Sequence, residues 1–291
     1  MNGIQYKLTN DRERGSVQSY HHKPQPLFLN KAMPSDVAGL KPATKRGNFN
    51  IQGADVVSKY TIGFEVEKNE LSRGAVREYE LFCGFERDGS CGYEAVTHIL
   101  PLLPASPWRT KVYDMMHKAE RIIDDRFSPS DKRCGGHITI AVEGMSGADL
   151  LAKVRSNAGL VLALFRHRLK NQYCGYNKTM LPAEAEGHVG GWHYKYQTAL
   201  VKGNCVEFRI PSKFESVKQM MRRYELFYML VDHSVSGGSF EAFLKKCEPI
   251  VRSMYNGDAA KTEEIFNIAR SMQKFINTNR RSADIEQFFT R

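Results

Sequence analysis

Two glutamates stand two positions apart in the segment GFEVE, residues 63–67. The surrounding run KYTIGFEVE alternates and is rich in β-forming residues, which predicts a strand over residues 59–67. Side chains two apart on a strand point to the same face, so we expect Glu65 and Glu67 to lie side by side. Two carboxylates at this spacing repel each other unless a cation or a proton lies between them. The motif therefore predicts either a cation site or an ordinary solvent-exposed acidic face.

An acid and a base share the same spacing in Glu207-Phe208-Arg209. On a strand, Glu207 and Arg209 point to one face, while Val206 and Phe208 point to the other. An ion pair at the surface is the simpler interpretation, and it would contribute little to stability. The apolar alternation favours instead a strand with the core on one face and a polar cleft on the other.

A histidine follows a pair of glycines in the segment CGGHITI, residues 134–140. The glycines permit close approach of the backbone, and His137 and Thr139 share one face of the predicted strand. A single histidine is more often structural than a metal ligand. Further acids occur in the Asp88-Gly89-Ser90 turn and at Glu94, a motif that is weak by itself.

Together, these motifs place at least three carboxylates and one histidine on strands or strand ends of a single sheet. Hard oxygen ligands suit Mg²⁺ or Mn²⁺, and Mn²⁺ accepts a histidine more readily. An arginine beside such a site can neutralise a phosphate that is being transferred. The combination predicts a divalent-metal centre of the kind that an ATP-using enzyme needs.

The rest of the chain supplies the elements that must hold these residues. Periodicity predicts strands at 59–67, 78–87 and 136–143, a strand or short helix at 93–100, and a hairpin of 194–201 with 204–211 around Lys202-Gly203. It predicts helices at 107–127, 147–171, 216–233, 240–255 and 259–276. We therefore predict an α+β fold: a mainly antiparallel sheet with packed helices and a helical C-terminal third.

Composition divides the chain into three segments. Residues 1–57 are polar and lack sustained periodicity, so we expect an N-terminal extension there. Residues 58–235 carry the motifs and form the predicted core. Residues 236–291 form a predicted helical segment packed on that core.

The net charge of +10 favours anionic partners, although a solvated basic surface is the simpler interpretation. The chain has no run of about 18 apolar residues that would span a membrane, and its first residues lack the apolar stretch of a secretion signal. The six cysteines contain no CxxC pair, which argues against a zinc knuckle and favours buried, reduced thiols. We expect a cytoplasmic protein.

Five motifs in order carry a resemblance to a known family: GFEVE, then FERDGS with YEAVT, then GGHITI, then a helix ending in FRHRLKNQYC, then VEFRIP. This set resembles the amidoligase family of ATP-dependent carboxylate–amine ligases, which are related to glutamine synthetase and glutamate–cysteine ligase. The resemblance covers residues 60–235. It implies a fold like the catalytic domain of glutamine synthetase, with ATP and Mg²⁺ or Mn²⁺ as cofactors.

The resemblance also implies roles for particular residues. Arg209 would meet the transferring phosphate, and Asp88 would lie near the incoming amine. Arg168 and Lys195 fall where the family has basic residues that contact substrate or nucleotide. The implied metal ligands are Glu65, Glu67, Glu94, His137 and Glu207.

The nucleotide side of the predicted site departs from the family pattern at one position. His137 matches the first histidine of an HxH strand and would hold a metal near the ATP phosphates. Thr139 stands where the family has a second histidine that helps at the nucleotide, and its hydroxyl can still donate a hydrogen bond to phosphate.

The implied reaction has two steps. A carboxylate attacks the γ-phosphate of ATP to give an acyl phosphate, and an amine then displaces the phosphate to form an amide or isopeptide bond. The acid and the amine are small molecules or groups borne by a protein.

The helical C-terminal third covers the sheet, packs on another subunit, or does both.

Two alternatives use the same residues differently. A metal-dependent nucleic-acid enzyme such as a nuclease would account for the positive charge, but the sequence lacks an aromatic and basic stripe or a nucleic-acid-binding module. A non-catalytic structural protein that keeps a ligase-like fold would account for Thr139 in place of histidine.

Overall fold

The computed structural model describes residues 40–42, 49–51, 57–79, 81–97, 100–173, 196–202 and 205–278 of the 291-residue chain. Most of the predicted N-terminal extension, Gly203 at the hairpin turn and the start of the strand predicted from 194 lie outside these ranges. The described residues belong to two compact units. The first consists of Met1–Met145 and Ser212–Met221, and the second of Ser146–Pro211 and Arg222–Arg291.

The first unit is built on an antiparallel sheet with the strand order β5-β6-β4-β8. The short strand β7 also pairs with β4, which is therefore the strand with the most neighbours. In chain order, the described elements are β1 (Leu40–Pro42), β2 (Phe49–Ile51), β3 (Val57–Ser58), β4 (Tyr60–Lys68), α1 (Arg73–Arg77), β5 (Phe82–Asp88), β6 (Gly92–Thr97), β7 (Leu100–Pro101), α2 (Pro107–Lys118), α3 (Glu120–Ile123) and β8 (Gly136–Val142).

The alternation along β4 explains its central place. Ile62, Phe64 and Val66 point to one face and are buried, which stabilises the sheet by roughly 1.5–3 kcal/mol for each large side chain. The ring of Phe64 meets that of Phe214 edge-on, with the ring centres 5.7 Å apart. The glutamates of β4 occupy the opposite face. The prediction of a strand at 59–67 is confirmed.

The described part of the N-terminal extension is a small antiparallel sheet. Its middle strand, β2, pairs with both β1 and β3, with Leu40 opposite Ile51 and Phe49 opposite Ser58. Periodicity does not predict these strands, because each is only two or three residues long.

The helix predicted at 107–127 is confirmed only in its first part. Ser106 accepts a hydrogen bond from the backbone N–H of Arg109 (3.1 Å), and Pro107 occupies the first helical position. The helix ends at Lys118, and the short α3 stops before Asp124, whose backbone is extended. The Asp124 carboxylate accepts from the backbone N–H of Arg126 at 2.9 Å, a local bond that competes with helix continuation.

The second unit contains the predicted hairpin and helices. Its described elements are α4 (Gly147–Arg155), α5 (Gly159–Leu164), a 3₁₀ helix (Arg166–Lys170), β9 (Ala199–Lys202), β10 (Cys205–Phe208), α6 (Val217–Val235), α7 (Phe240–Met254) and α8 (Ala259–Asn277). The first residues of α6, up to Met221, belong to the first unit.

The single helix predicted at 147–171 is wrong, because the chain breaks around Asn157. The Asn157 side chain is fully buried and donates to the Ser234 hydroxyl at 3.0 Å. Gly159 then packs directly on α8, where its N–H donates to Gln273 Oε1 at 2.9 Å. A straight helix would not deliver both contacts, so tertiary packing decides the break.

The C-terminal helices agree with the sequence, and the hairpin is present with shorter strands than predicted, β9 beginning at Ala199 and β10 ending at Phe208. Strands β9 and β10 pair antiparallel, with Phe208 opposite Ala199 and Cys205 opposite Lys202. Helices α6, α7 and α8 begin and end within two residues of the predicted bounds. The α+β prediction, with an antiparallel sheet, packed helices and a helical C-terminal third, is confirmed. The segment boundaries at 57 and 235 stay predictions.

The helices were also compared with the requirements of a membrane span. Among the residues that the structure describes, no helix combines the length and the apolar character needed to cross a bilayer.

We expect Gly159→Ala to destabilise the protein by roughly 1–3 kcal/mol, the usual effect of overpacking. A Cβ at this position would lie 2.5 Å from the backbone oxygen of Ala269 and 2.8 Å from Gln273 Cβ. Urea unfolding measures the loss. Gly74→Ala is the matched control, since the nearest atom to its Cβ would be 3.9 Å away. Equal midpoints for the two variants would contradict the packing described here.

Candidate functional site

Four of the predicted metal ligands meet on one face of the first unit's sheet. Glu65 of β4 lies opposite His137 of β8. Glu67, two residues further on the same strand, lies opposite Glu94 of β6. Opposed side chains on neighbouring antiparallel strands have Cβ atoms roughly 4.5–5.5 Å apart. The sheet register therefore assembles groups that are up to 72 residues apart in sequence.

The histidine ring lies between the two carboxylates of β4. His137 Nδ1 is 2.7 Å from Glu65 Oε2 and 3.4 Å from Glu67 Oε1. The other Glu67 oxygen accepts a 2.6 Å hydrogen bond from the backbone N–H of Gly135. One donor atom from each of Glu65, Glu67 and His137 lies within 4.8 Å of the others. Ligand atoms of one divalent cation, each about 2.0–2.6 Å from it, fall within roughly this span.

All four side chains are buried, which excludes the solvent-exposed acidic face that the sequence left open. Their exposed fractions are 5% for Glu65, 4% for Glu67, 1% for Glu94 and 4% for His137. Taking a carboxylate out of water costs several kcal/mol, so such groups are retained together with a balancing positive charge or a proton. A divalent cation among these donors would supply that charge.

The structure adds Cys91, which sequence reasoning missed. Its sulfur lies with one oxygen each of Glu67 and Glu94 in a second group whose donor atoms are within 4.8 Å of one another. Residues three apart on a regular strand point to opposite faces, so the spacing of Cys91 and Glu94 gave no signal. Gly92 between them has a φ of +119°, which interrupts the regular strand geometry.

A second thiol stands next to Cys91. A hydrogen bond with Cys134 and burial both raise the pKa of Cys91, and the charges of Glu67 and Glu94 raise it further. The same hydrogen bond lowers the pKa of Cys134. The four cysteines whose side chains the structure describes are buried and form no disulfide with one another.

Asp88, predicted to act near the amine, closes the turn that leads into β6. One of its oxygens accepts from the backbone N–H of Ser90 at 2.6 Å, from the Ser90 hydroxyl, and from the backbone N–H of Cys91 at 3.2 Å. These bonds give Asp88 a structural role. The side chain is partly exposed, and its role as a proton acceptor stays a prediction.

Besides His137, the predicted nucleotide contacts are Thr139, Arg168 and Lys195. Thr139 lies on β8, two residues beyond His137 and opposite Gly63 of β4, and it is partly exposed. Arg168 is buried in the 3₁₀ helix of the second unit. Lys195 lies outside the described residues.

Glu207, the remaining predicted metal ligand, lies in the hairpin of the second unit and is fully buried. Its carboxylate contacts two cations, Arg209 through one oxygen and Lys202 through the other. The sequence indicated the Glu207–Arg209 pair, but it assigned Lys202 only to the turn. Both oxygens therefore have a positively charged partner within the hairpin itself.

No family model matches the sequence, and no curated protein matches it. The residues and contacts above therefore carry the functional interpretation.

The end of β4 is fixed by a partly buried ion network on the face of the strand opposite the glutamates. Lys68, which follows Glu67, is fully buried and donates to Asp125 (2.6 Å) and to the backbone oxygen of Phe214 (2.8 Å). Lys213 donates to the other Asp125 oxygen at 2.6 Å. Burial lowers the pKa of Lys68. Burial alone would raise the pKa of Asp125, but the hydrogen bonds from Lys213 and Lys68 outweigh it and hold that pKa below its usual value.

We expect Asp125→Asn to lower the melting temperature at neutral pH, because the amide removes the charge that Lys68 and Lys213 contact. A depressed pKa in the folded state stabilises the protein above the ordinary value of 3.8, and this contribution is lost as the pH falls through the folded pKa. The difference from wild type should therefore shrink at acid pH. Thermal melts at several pH values measure it.

Asp131→Asn is the control for this experiment. Asp131 pairs with Arg133 at the surface, and both side chains are largely exposed, so its loss should matter little. A difference for Asp125→Asn that stays constant down to pH values far below 3.8 would show that the ion network is not its source.

We expect Glu207→Gln to destabilise the protein by about 3–5 kcal/mol, the usual cost of removing one partner of a buried ion pair. The substitution removes the counter-charge of Arg209 and Lys202. Adding Lys202→Met should recover part of the loss, because one of the two cations is then gone. Denaturant unfolding in the presence of a chelator measures all three proteins. A stable Glu207→Gln variant would mean that the hairpin does not depend on these contacts.

Proposed function

We propose that this protein is an ATP-dependent carboxylate–amine ligase that holds a divalent cation at Glu65, Glu67 and His137. The observation that carries the proposal is the buried group of donors on β4 and β8, with Nδ1 of the histidine 2.7 Å and 3.4 Å from the two carboxylates. The ordered motifs of the amidoligase resemblance support it, as does the antiparallel sheet. A fold like that of glutamine synthetase is part of the proposal.

The donor chemistry fits the proposed cation. Two carboxylates and one imidazole suit Mn²⁺ or Mg²⁺, and Gly135 holds Glu67 in place by its N–H. Glu94 lies on the other side of Glu67 and extends the acidic face. A bound cation would screen the negative charge of the ATP phosphates during transfer.

The remaining predicted residues take their roles from the family resemblance. Arg209 and Arg168 would contact phosphate or substrate, and Thr139 would donate to a phosphate oxygen. Asp88 would accept the proton that the attacking amine loses. Glu207 would serve as a metal ligand only after an exchange of its contacts with Arg209 and Lys202.

The reaction joins an acid to an amine. The substrate carboxylate attacks the γ-phosphate of ATP and ADP leaves, which gives an acyl phosphate. The amine then attacks the acyl carbon, phosphate leaves, and an amide or isopeptide bond forms. The substrates are small molecules or protein side chains, and a cytoplasmic location with an ample supply of ATP suits this chemistry.

We expect Mn²⁺ or Mg²⁺ to raise the melting temperature of the wild type, and ATP to raise it further only when the metal is present, because ligands of the folded state stabilise it by mass action. Glu65→Gln and Glu67→Gln should abolish both shifts. Glu70→Gln is the matched control, since Glu70 follows the same strand but is exposed. Thermal melts measure the shifts, and release of phosphate in mixtures of acids and amines then tests turnover.

Three results would contradict the ligase. Cleavage of nucleic acid with metal and without ATP would favour the nuclease. A rise in melting temperature with metal that ATP does not increase would show that the site binds metal but not the nucleotide. No shift with metal or with nucleotide would favour a non-catalytic structural protein.

A further inference from the structure

The acidic face of the sheet also carries sulfur. Cys91 lies immediately before β6. Its Sγ, one oxygen of Glu67 and one oxygen of Glu94 all lie within 4.8 Å of one another. The three side chains are between 1% and 4% exposed. A buried thiol usually packs as a small apolar group. Next to two buried carboxylates, an apolar role does not account for the position of Cys91.

Cys134 stands beside Cys91, whereas the two remaining described cysteines, Cys205 and Cys247, lie in different surroundings. Burial raises the pKa of the Cys205 thiol to about 11, and it donates to the backbone oxygen of Lys202 at 3.0 Å. Burial also raises the pKa of Cys247. Among the described residues, the groups of donors that could hold a metal include Cys91 but neither Cys205 nor Cys247. Cys205 is therefore a matched control for Cys91.

The backbone around Cys91 is held from both sides. Asp88 accepts from its N–H at 3.2 Å, and the Asn69 side chain donates to its carbonyl oxygen at 3.2 Å. Gly92 follows with a positive φ, and a Cβ there would lie 2.5 Å from the backbone oxygen of Asn69. Glu67 is fixed by Gly135, and Glu94 by its place opposite Glu67. The donors are thus positioned before any ligand arrives.

We propose that Glu67, Cys91 and Glu94 form a second cation site, adjacent to the Glu65–Glu67–His137 group, which takes a thiophilic divalent cation such as Zn²⁺ or Co²⁺. Thiolate ligands select such ions, whereas carboxylate and water ligands alone suit Mg²⁺. Coordination displaces the thiol proton to solvent, and the thiolate then binds the cation directly. Glu67 belongs to both groups of donors, and Glu94 is a metal ligand that the family resemblance implies, so this site rests on the proposed ligase centre through these two residues.

The test is a titration of the metal-free full-length protein with Co²⁺ in the absence of oxygen. A cobalt–thiolate bond gives a sulfur-to-cobalt charge-transfer band in the near ultraviolet. Wild type, Cys205→Ser and His137→Ala should show this band, and Cys91→Ser should lose it. Zn²⁺ should displace the band at equimolar concentration, whereas excess Mg²⁺ should leave it unchanged.

Glu94→Gln keeps the thiol and tests the same site independently. It should retain the band but require roughly tenfold or more Co²⁺ for half-saturation. Absence of the band in wild type, or its persistence in Cys91→Ser, would overturn the proposal. Circular dichroism of each variant in a chelator verifies that it is folded, and the Glu94→Gln titration decides the matter if Cys91→Ser does not fold.

The two proposals fail separately. If wild type shows the cobalt band, Cys91→Ser loses it and ATP does not change the melting temperature, the sulfur site is supported and the ligase proposal is contradicted. If ATP raises the melting temperature of both wild type and Cys91→Ser only when metal is present, and wild type shows no cobalt band, the ligase is supported and the sulfur site is contradicted.

Discussion

The burial of carboxylates on one face of β4 is the constraint on which the rest of the first unit depends. Glu65, Glu67 and Glu94 are nearly inaccessible to solvent, and each costs several kcal/mol to desolvate. A domain has a net stability of about 5–15 kcal/mol, so this arrangement persists only where the charge is balanced. The same requirement that makes the cluster costly makes it suited to a cation.

Two other acids, one partly buried and one fully buried, show how this protein balances charge with its own side chains. Asp125 is held by Lys68 and Lys213, and Glu207 by Lys202 and Arg209. Each is a carboxylate between two cationic side chains. The first of these networks anchors the residue that follows Glu67 and so fixes the end of β4. It is a structural support for the acidic face, on the other side of the strand.

The sequence predicted those features that local pattern determines. The period of two along 60–68 and 136–142 identified the strands and put Glu65, Glu67 and His137 on defined faces, and the C-terminal helices followed from their apolar spacing. The breaks in the helices at 107–127 and 147–171 were missed. The Asp124 side chain accounts for the end of α3, and the contact of Gly159 with α8 accounts for the second break. Neither contact changes the periodicity. Lys202 was missed as a partner of Glu207, because a turn residue gives no indication of where its amine lies.

Cys91 was missed for a more general reason: the donor set of this face is determined by strand register and not by spacing along the chain. A slip of one residue between β4 and β6 would move Glu94 to the opposite face of the sheet, away from Glu67. Strands β5 and β6 are joined by the turn from Asp88 to Gly92, and these two residues form the last pair of the β5–β6 ladder. Asp88 closes that turn with three hydrogen bonds, and Gly92 adopts a φ that other residues rarely accept. The Asn69 side chain, just after β4, donates to the Cys91 carbonyl oxygen at 3.2 Å. The turn is thereby tied to the end of β4, and Asp88 contributes to the site by holding the turn that places Cys91 near Glu67.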